Sequence, residues 1–346
     1  MAEAAVKTNV EHRPWVGLDD RGPEKIPGLI WAFVARDHET VEPLPVDQPI
    51  ECRPDHHHWV WLHLDLVDSR AKAWLENLAG LSEDAYELLV TPDDHQQLHV
   101  FPGMLAGVFA DHRLSLDDES DEFGHLRFIA TDRLLITGRR HPLQALEATK
   151  LDLHKKEECC ASVPELVERI VDHIAAGAER RAEIVTRELE SIEDNVLTDS
   201  VSDERRRLVA LRRTMVRMHR HLAGLRSLFE RLSGAKHEIA LSLPASMIAQ
   251  RLEALSHQLA ALEARARLFQ EEIGAKLTEQ TNRNLQILSV FTALFLPGTV
   301  ITGMFGMNTK GLPFSENETG FWYAITMIVV CSAAAYYALR RMRVAD

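Results

Sequence analysis

Apolar residues along this chain change their spacing twice. Up to about Thr149 they come in short bursts: Leu29 to Val34, Trp59 to Leu66, Met104 to Ala110, His125 to Ala130 and Arg133 to Thr137. Trp59 to Leu66 alternates, with Trp59, Trp61, His63 and Asp65 on one face and Val60, Leu62, Leu64 and Leu66 on the other. That period of two is the mark of a pleated strand. Asp68 to Gly80 and Glu83 to Val90 read as helices between the strands, so residues 1–160 are expected to form a mixed α/β domain.

From Val163 onward the strand pattern stops and long helical segments follow. Ser162-Val163-Pro164-Glu165 starts the first, with a cap residue and a proline in the first turn; it is expected to run to Leu197. Asp203-Glu204 opens a second that ends near Gly234. In the third, Leu252, Leu255, Leu259, Leu262, Ala266, Phe269, Ile273 and Leu277 recur at steps of three and four, a coiled-coil-like seam. No proline or glycine pair separates this segment from the apolar run after it. Ala245 to Phe305 is therefore expected to be one helix of about 90 Å. Residues 161–283 form a long-helix stalk in this reading.

The third regime is apolar throughout. Leu285 to Phe305 and Gly320 to Leu339 contain no charged residue, and about 20 residues of helix span a hydrocarbon core of about 30 Å. The expected division is a first transmembrane helix at 284–305, a loop at 306–319, a second transmembrane helix at 320–339 and a basic tail at 340–346. Arg340, Arg341 and Arg343 follow the second span, and Lys276 and Arg283 precede the first. Such flanks place both termini in the cytoplasm, with the loop outside the plasma (inner) membrane. The opening MAEAAVKTNVEHRPW has no apolar h-region, so no cleaved secretory signal is expected.

Net charge is −13, which disfavours nucleic acid as a partner and suits surroundings that receive cations. The helix from Asp203 runs against this trend, with nine arginines from Arg205 to Arg231. They fit either a solvated face paired with Glu188, Glu190, Glu193 and Asp194 of the helix before, or an electrostatic element of an ion vestibule. No nucleophile elbow, P-loop, dinucleotide fingerprint or HExxH occurs, so no enzyme and no cofactor are expected. Cys52, Cys159, Cys160 and Cys331 form no zinc-ribbon spacing and read as ordinary thiols of a reducing compartment. Leu116 to Gly124 is an acidic turn without EF-hand spacing. His56, His57 and His58 with His63, and the pair His95 and His99 at helical spacing, are the remaining metal-ligand candidates. Consecutive histidines cannot all face one point on a strand, so a solvated segment accounts for the triplet more simply than a site does.

Within the first span Asn282, Leu285, Ser289 with Leu288 beside it, Thr292, Leu296, Thr299 and Gly303 share a stripe. Its hydroxyls serve either close packing between membrane helices or the lining of a water-filled pore. Two spans cannot enclose a pore, so the second use requires a ring of subunits, and the stalk seam offers a reason for one. Pro297-Gly298 can distort the span. At its outer end stand Gly306, Met307 and Asn308. A ring of backbone carbonyls and Asn308 amides can grip a hydrated divalent ion through its water shell. With no imidazole or thiolate, such a ring has little intrinsic means of preferring zinc. Glu316 and Glu318 in the loop can gather cations. Asn284 to Thr309 holds no acid, base or histidine, so a proton relay has no carrier within the span.

This arrangement resembles the CorA-type superfamily of divalent-cation transporters. The resemblance implies a homopentamer with a cytoplasmic funnel, two spans per subunit and a Gly-Met-Asn signature at the external mouth. It also maps a pore face onto Asn282, Leu285, Leu288, Thr292, Leu296, Thr299, Gly303 and Asn308. The loop continues Thr309-Lys310-Gly311-Leu312-Pro313. That is similar to the ZntB-type GMNxGG(L/I)P pattern, with Lys310 in place of the first paired glycine. Trp61 to Leu66 also resembles the ZntB-like strand. The resemblance implies transport of Zn²⁺, linked to a proton gradient. The alternatives are a CorA-type channel for Mg²⁺, Co²⁺ or Ni²⁺ and a non-conducting, membrane-anchored coiled-coil scaffold.

Overall fold

The computed structural model describes residues 24–37, 40–50, 59–78, 81–114, 122–155, 160–197, 201–234, 243–307 and 320–343. Seven strands form one sheet: β1 (Leu29–Asp37), β2 (Thr40–Leu44), β3 (Trp59–Asp65), β4 (Gln97–Phe101), β5 (Met104–His112), β6 (Phe123–Ala130) and β7 (Leu134–Arg139). Their spatial order is β2-β1-β3-β7-β6-β5-β4. β3 and β7 pair in parallel, with Val60 opposite Leu134 and Asp65 opposite Arg139; the remaining pairs are antiparallel. Between β3 and β4 lie α1 (Ser69–Glu76) and α2 (Glu83–Val90). After the sheet come α3 (Gln144–Lys155), α4 (Val163–Leu197), α5 (Val201–Gly234), α6 (Ala245–Phe305) and α7 (Gly320–Arg343).

The five expected strands are all present; β2, β4 and α3 were not anticipated. The alternation in β3 is used on both sides, because each face of the sheet is covered. Trp59 and Trp61 join Trp31, Phe33, Phe109 and Phe128 in a core closed by residues of α3, α4, α5 and the first part of α6. Val60, Leu62 and Leu64 join Ala32, Val34, Ile129 and Ile136 under Trp74, Leu75, Ala85 and Leu89 of α1 and α2. Burying each of the Leu, Ile, Val and Phe side chains contributes about 1.5–3 kcal/mol.

Local chemistry fixes the helix ends. Asp68 caps α1 by accepting the Arg70 N–H at 2.8 Å. Ser82 caps α2, and at its other end Arg127 and Arg140 donate to the Leu88 and Val90 carbonyls at 2.9 and 2.8 Å, where cations oppose the helix dipole. α4 starts as the sequence predicts. Ser162 accepts the Glu165 N–H, and the Glu165 carboxylate reaches back to the Ala161 N–H at 2.7 Å.

Two compact units divide the chain, one of residues 1–198 with 206–267 and one of 199–205 with 268–346. α6 is continuous from Ala245 to Phe305, as expected. The first part of the apolar seam along it needs a correction. Leu252, Leu255 and Leu259 are buried in the same core as residues of α4 and α5, so they pack within one chain and give no reason for a ring of subunits. Two cross-helix ion pairs, Arg251 with Asp172 and Arg265 with Glu193, sit beside this packing. Acids of α4 thus meet arginines of α6.

Candidate functional site

In the second unit α6 and α7 each hold a stretch long and apolar enough to cross a membrane, with almost none of it buried inside the chain. Leu285, Leu288, Phe291, Phe295, Leu296, Phe321, Trp322 and Tyr337 are all more than half exposed. Apolar exposure on this scale requires lipid or neighbouring copies around it.

The two helices touch along one side. An added Cβ at Gly298 would lie 3.5 Å from Ile328, and Ser332 donates its hydroxyl to the Leu294 carbonyl at 2.9 Å. Val290, Ala293, Pro297 and Gly298 lose exposure on that side and Ile301 is buried. At 100° per residue these positions centre roughly 150° away from the stripe of Asn282, Leu285, Leu288, Ser289, Thr292, Leu296, Thr299 and Gly303. The stripe itself occupies an arc of about 120°, and every member is exposed. α7 therefore leaves the stripe uncovered. An added Cβ at Gly303 would meet nothing within 4 Å.

The hydroxyls on the stripe are oriented by their own helix. Ser289 donates to the Leu285 carbonyl at 2.8 Å, Thr292 to Leu288 at 2.8 Å and Thr299 to Leu296 at 2.9 Å. Each proton is used on the backbone, which leaves the oxygen lone pairs for an outside donor. Such an oxygen can accept from the water shell of a hydrated cation. Pro297 lies inside the helix without ending it.

At the C-terminal end of α6 the Gly306 N–H bonds the Thr302 carbonyl at 2.9 Å and the Met307 N–H bonds Met304 at 3.3 Å. Gly306 and Met307 thus close the last turn of α6, both exposed. Asn308, Glu316 and Glu318 lie outside the described residues, as do His56, His57, His58, Cys52 and Cys159.

The remaining metal-ligand candidates are not assembled. His63 is fully buried, stacked on Trp31 at 3.9 Å and bonded through Nδ1 to the Thr137 hydroxyl at 2.8 Å. His95 precedes β4 and His99 lies within it, so their spacing is not that of two ligands one turn apart on a helix. The Asp93 carboxylate, 2.6 Å from His95 Nδ1, instead holds that imidazole above its ordinary value. Cys160 is buried, and desolvation pushes its thiol up to about 12, so it is an inert core residue. Of the acidic turn, residues 115–121 lie outside the described residues, and Phe123 and Gly124 begin β6. Among the described residues no group of three or more His, Cys, Asp and Glu is placed to hold a metal ion.

Ser332 is the residue that sequence reasoning missed. The signal was an uncharged polar residue inside an apolar run. Thr326, its counterpart six residues earlier, bonds the Trp322 carbonyl of its own helix at 2.8 Å, whereas Ser332 bonds across to α6.

Known proteins share this arrangement. The full-length CmaX structure matches with a TM-score of 0.76 at 26% identity, covering 94% of this chain and all of that one (100%). In sequence, the divalent cation transporter CmaX of Pseudomonas aeruginosa is 28% identical over 293 residues, 82% of this chain and 87% of the relative. The zinc transport protein ZntB of Pectobacterium atrosepticum is 25% identical over 295 residues, with the same two coverages of 82% and 87%. The CorA magnesium transporter from Methanocaldococcus jannaschii shares the fold, with a TM-score of 0.65 at 20% identity over 90% of this chain and 98% of that one. The model of the CorA-like Mg2+ transporter protein family matches residues 56–341. With that match over most of its length, and with two apolar helices at the end of an α/β and long-helix body, the chain belongs to the CorA-like family and is a ZntB- and CmaX-like divalent-cation transporter.

Proposed function

We propose that this protein carries Zn²⁺ across the plasma (inner) membrane through a homopentameric pore lined by the α6 stripe. The observation that carries this reading is the uncovered stripe itself. α7 takes the opposite side of α6, and the stripe's Ser289, Thr292 and Thr299 oxygens are left as acceptors. A face that serves neither α7 nor an apolar core suits an axis filled with water. Five copies would bring Asn282, Leu285, Leu288, Thr292, Leu296, Thr299 and Gly303 to that axis. Gly306, Met307 and Asn308 would form the selectivity loop at its outer mouth. There Asn308 would hold the ion in the outer sphere, through water, and Glu316 and Glu318 would raise the local cation concentration.

In this arrangement residues 1–160 form the cytoplasmic α/β domain and 161–283 the stalk or funnel. Residues 284–305 and 320–339 are the spans, 306–319 the external loop and 340–346 the cytoplasmic tail. The arginine-rich tail supports an orientation with both termini inside. Zinc is favoured by the Gly311-Leu312-Pro313 continuation of the loop and by relatives named as zinc transport proteins. The family description favours Mg²⁺ instead. Competitive flux of Zn²⁺, Mg²⁺, Co²⁺ and Ni²⁺ into proteoliposomes separates the two. Zn²⁺ should enter fastest, Asn308→Ala should abolish the preference, and an imposed pH difference should accelerate entry. Dominant Mg²⁺ entry assigns the CorA-type alternative, and no ion entry at all leaves a scaffold.

A further inference from the structure

Pro297 sits in the middle of the apolar part of α6. Lacking an N–H, it leaves the Ala293 carbonyl without its usual donor, and its ring crowds the turn before it. That turn is the weakest point of the helix, and in hydrocarbon no water repairs it. α7 meets α6 at this place: Ser332 donates to the Leu294 carbonyl, and a Cβ added at Gly298 would lie 3.5 Å from Ile328. Ser289, Thr292, Thr299, Thr302 and Thr326 all use their hydroxyl on their own helix. Ser332 bridges the two helices. Leu296 and Thr299, one residue before the proline and two after it, lie on the stripe that α7 does not cover. A swing of α6 at Pro297 therefore moves them with respect to the axis.

We propose that Ser332 is a positioning residue for transport: by holding the Leu294 carbonyl from the outer helix, it fixes α6 at its proline and so sets the separation of the Leu296 and Thr299 side chains of successive subunits. This rests on the pore reading of the stripe. The bond acts on passage through the span, and the outer mouth stays as it was. Removing it changes the maximal rate and leaves the half-saturating ion concentration alone.

The test uses the full-length protein in proteoliposomes, with Zn²⁺ and Mg²⁺ flux measured in parallel. Ser332→Ala should change the maximal rate by about threefold or more, the scale of one interhelical hydrogen bond in a membrane. The half-saturating concentration should stay unchanged, and Ser332→Thr, which keeps the hydroxyl, should restore the rate. An unchanged rate in Ser332→Ala, an effect on half-saturation alone, or no rescue by threonine overturns the proposal. Thr292→Val, on the stripe itself, separates this failure from a failure of the pore reading. If it alters flux while Ser332→Ala does not, the pore stands and the role of Ser332 falls. If neither variant alters flux, both fall.

Discussion

The carboxylate of Asp111, at the end of β5, accepts the backbone N–H of Ala145 at 2.8 Å and so ties the sheet to the first turn of α3. Its other oxygen accepts the His112 N–H at 2.8 Å. Burial outweighs both bonds and pushes this carboxyl from 3.8 up to about 7, while Arg180 pulls weakly the other way. The sign follows from linkage. Below about pH 4 both folded and unfolded chains hold the proton, and the contribution to stability is complete. Between about 4 and 7 the unfolded chain releases it first, so that contribution is lost as pH rises. Asp111→Asn keeps an acceptor but cannot ionise. Its melting temperature relative to wild type should rise from pH 4 to pH 7 in detergent solution. A difference that stays flat over that range would show that Asp111 does not titrate there.

His221 works in the opposite direction. Its ring lies tilted against Phe123, centroids 4.2 Å apart, and burial, then the nearby His125, then Arg220 and Arg217 lower it from 6.5 to about 4. The folded protein keeps this imidazole neutral, so its contribution is complete above pH 6.5 and is lost as pH falls towards 4. His125 and His63 are also lowered, chiefly by burial, and add to the same acid loss. His221→Phe should therefore be less acid-labile than wild type, with the gap in melting temperature widening below pH 6.5. Equal acid lability in the two proteins would place the sensitive group elsewhere.

Gly107 and Gly103 make a pair with unequal costs. A Cβ on Gly107 would come within 2.7 Å of the Gln97 carbonyl and 2.9 Å of Phe128, and the backbone oxygen of a paired strand cannot move aside. Gly103 has φ of +75° in the turn between β4 and β5 but open space around it. Gly103→Ala should cost about 1–2 kcal/mol from backbone strain alone, and Gly107→Ala about 1–3 kcal/mol with a disturbed β4 pairing besides. Denaturant unfolding gives the two energies. Loss of amide-exchange protection along β4 in Gly107→Ala, but not in Gly103→Ala, checks the mechanism.

Much of this architecture could be read from periodicity, and the exceptions have physical causes. The ends of α4 and α6 and the start of α7 were predictable because capping residues and uninterrupted apolar length define them. β2 and β4 are the two edges of the sheet. Each is only five residues long, so in β4 the alternation of Leu98 and Val100 with polar Gln97 and His99 is too short to stand out. The same polarity made His95 and His99 look like a helical pair. The seam on α6 shows a different limit: spacing reveals that Leu252, Leu255 and Leu259 are buried, but not by what. In the membrane the uncharged spans and the polar stripe were legible. Ser332 was not, since a lone hydroxyl in an apolar run does not disclose whether it serves its own helix or the next.

The proposed pore role of the stripe makes its own prediction through two threonines of α6. Thr292 lies on the stripe and Thr302 about 100° from the stripe's centre, and both hydroxyls bond to carbonyls of their own helix. Valine has nearly the same shape as threonine, so neither Thr292→Val nor Thr302→Val should disturb packing, and both remove the same internal bond. They differ in what the oxygen offers outside. On the pore proposal, the change at position 292 deletes an acceptor for the water shell of a passing ion, once per subunit. With one such bond worth about 1 kcal/mol, divalent flux in Thr292→Val should fall about fivefold or more. Flux in Thr302→Val should stay at the wild-type level. Equal effects at the two positions would mean that the side of α6 facing the axis has been misassigned, whatever the ion.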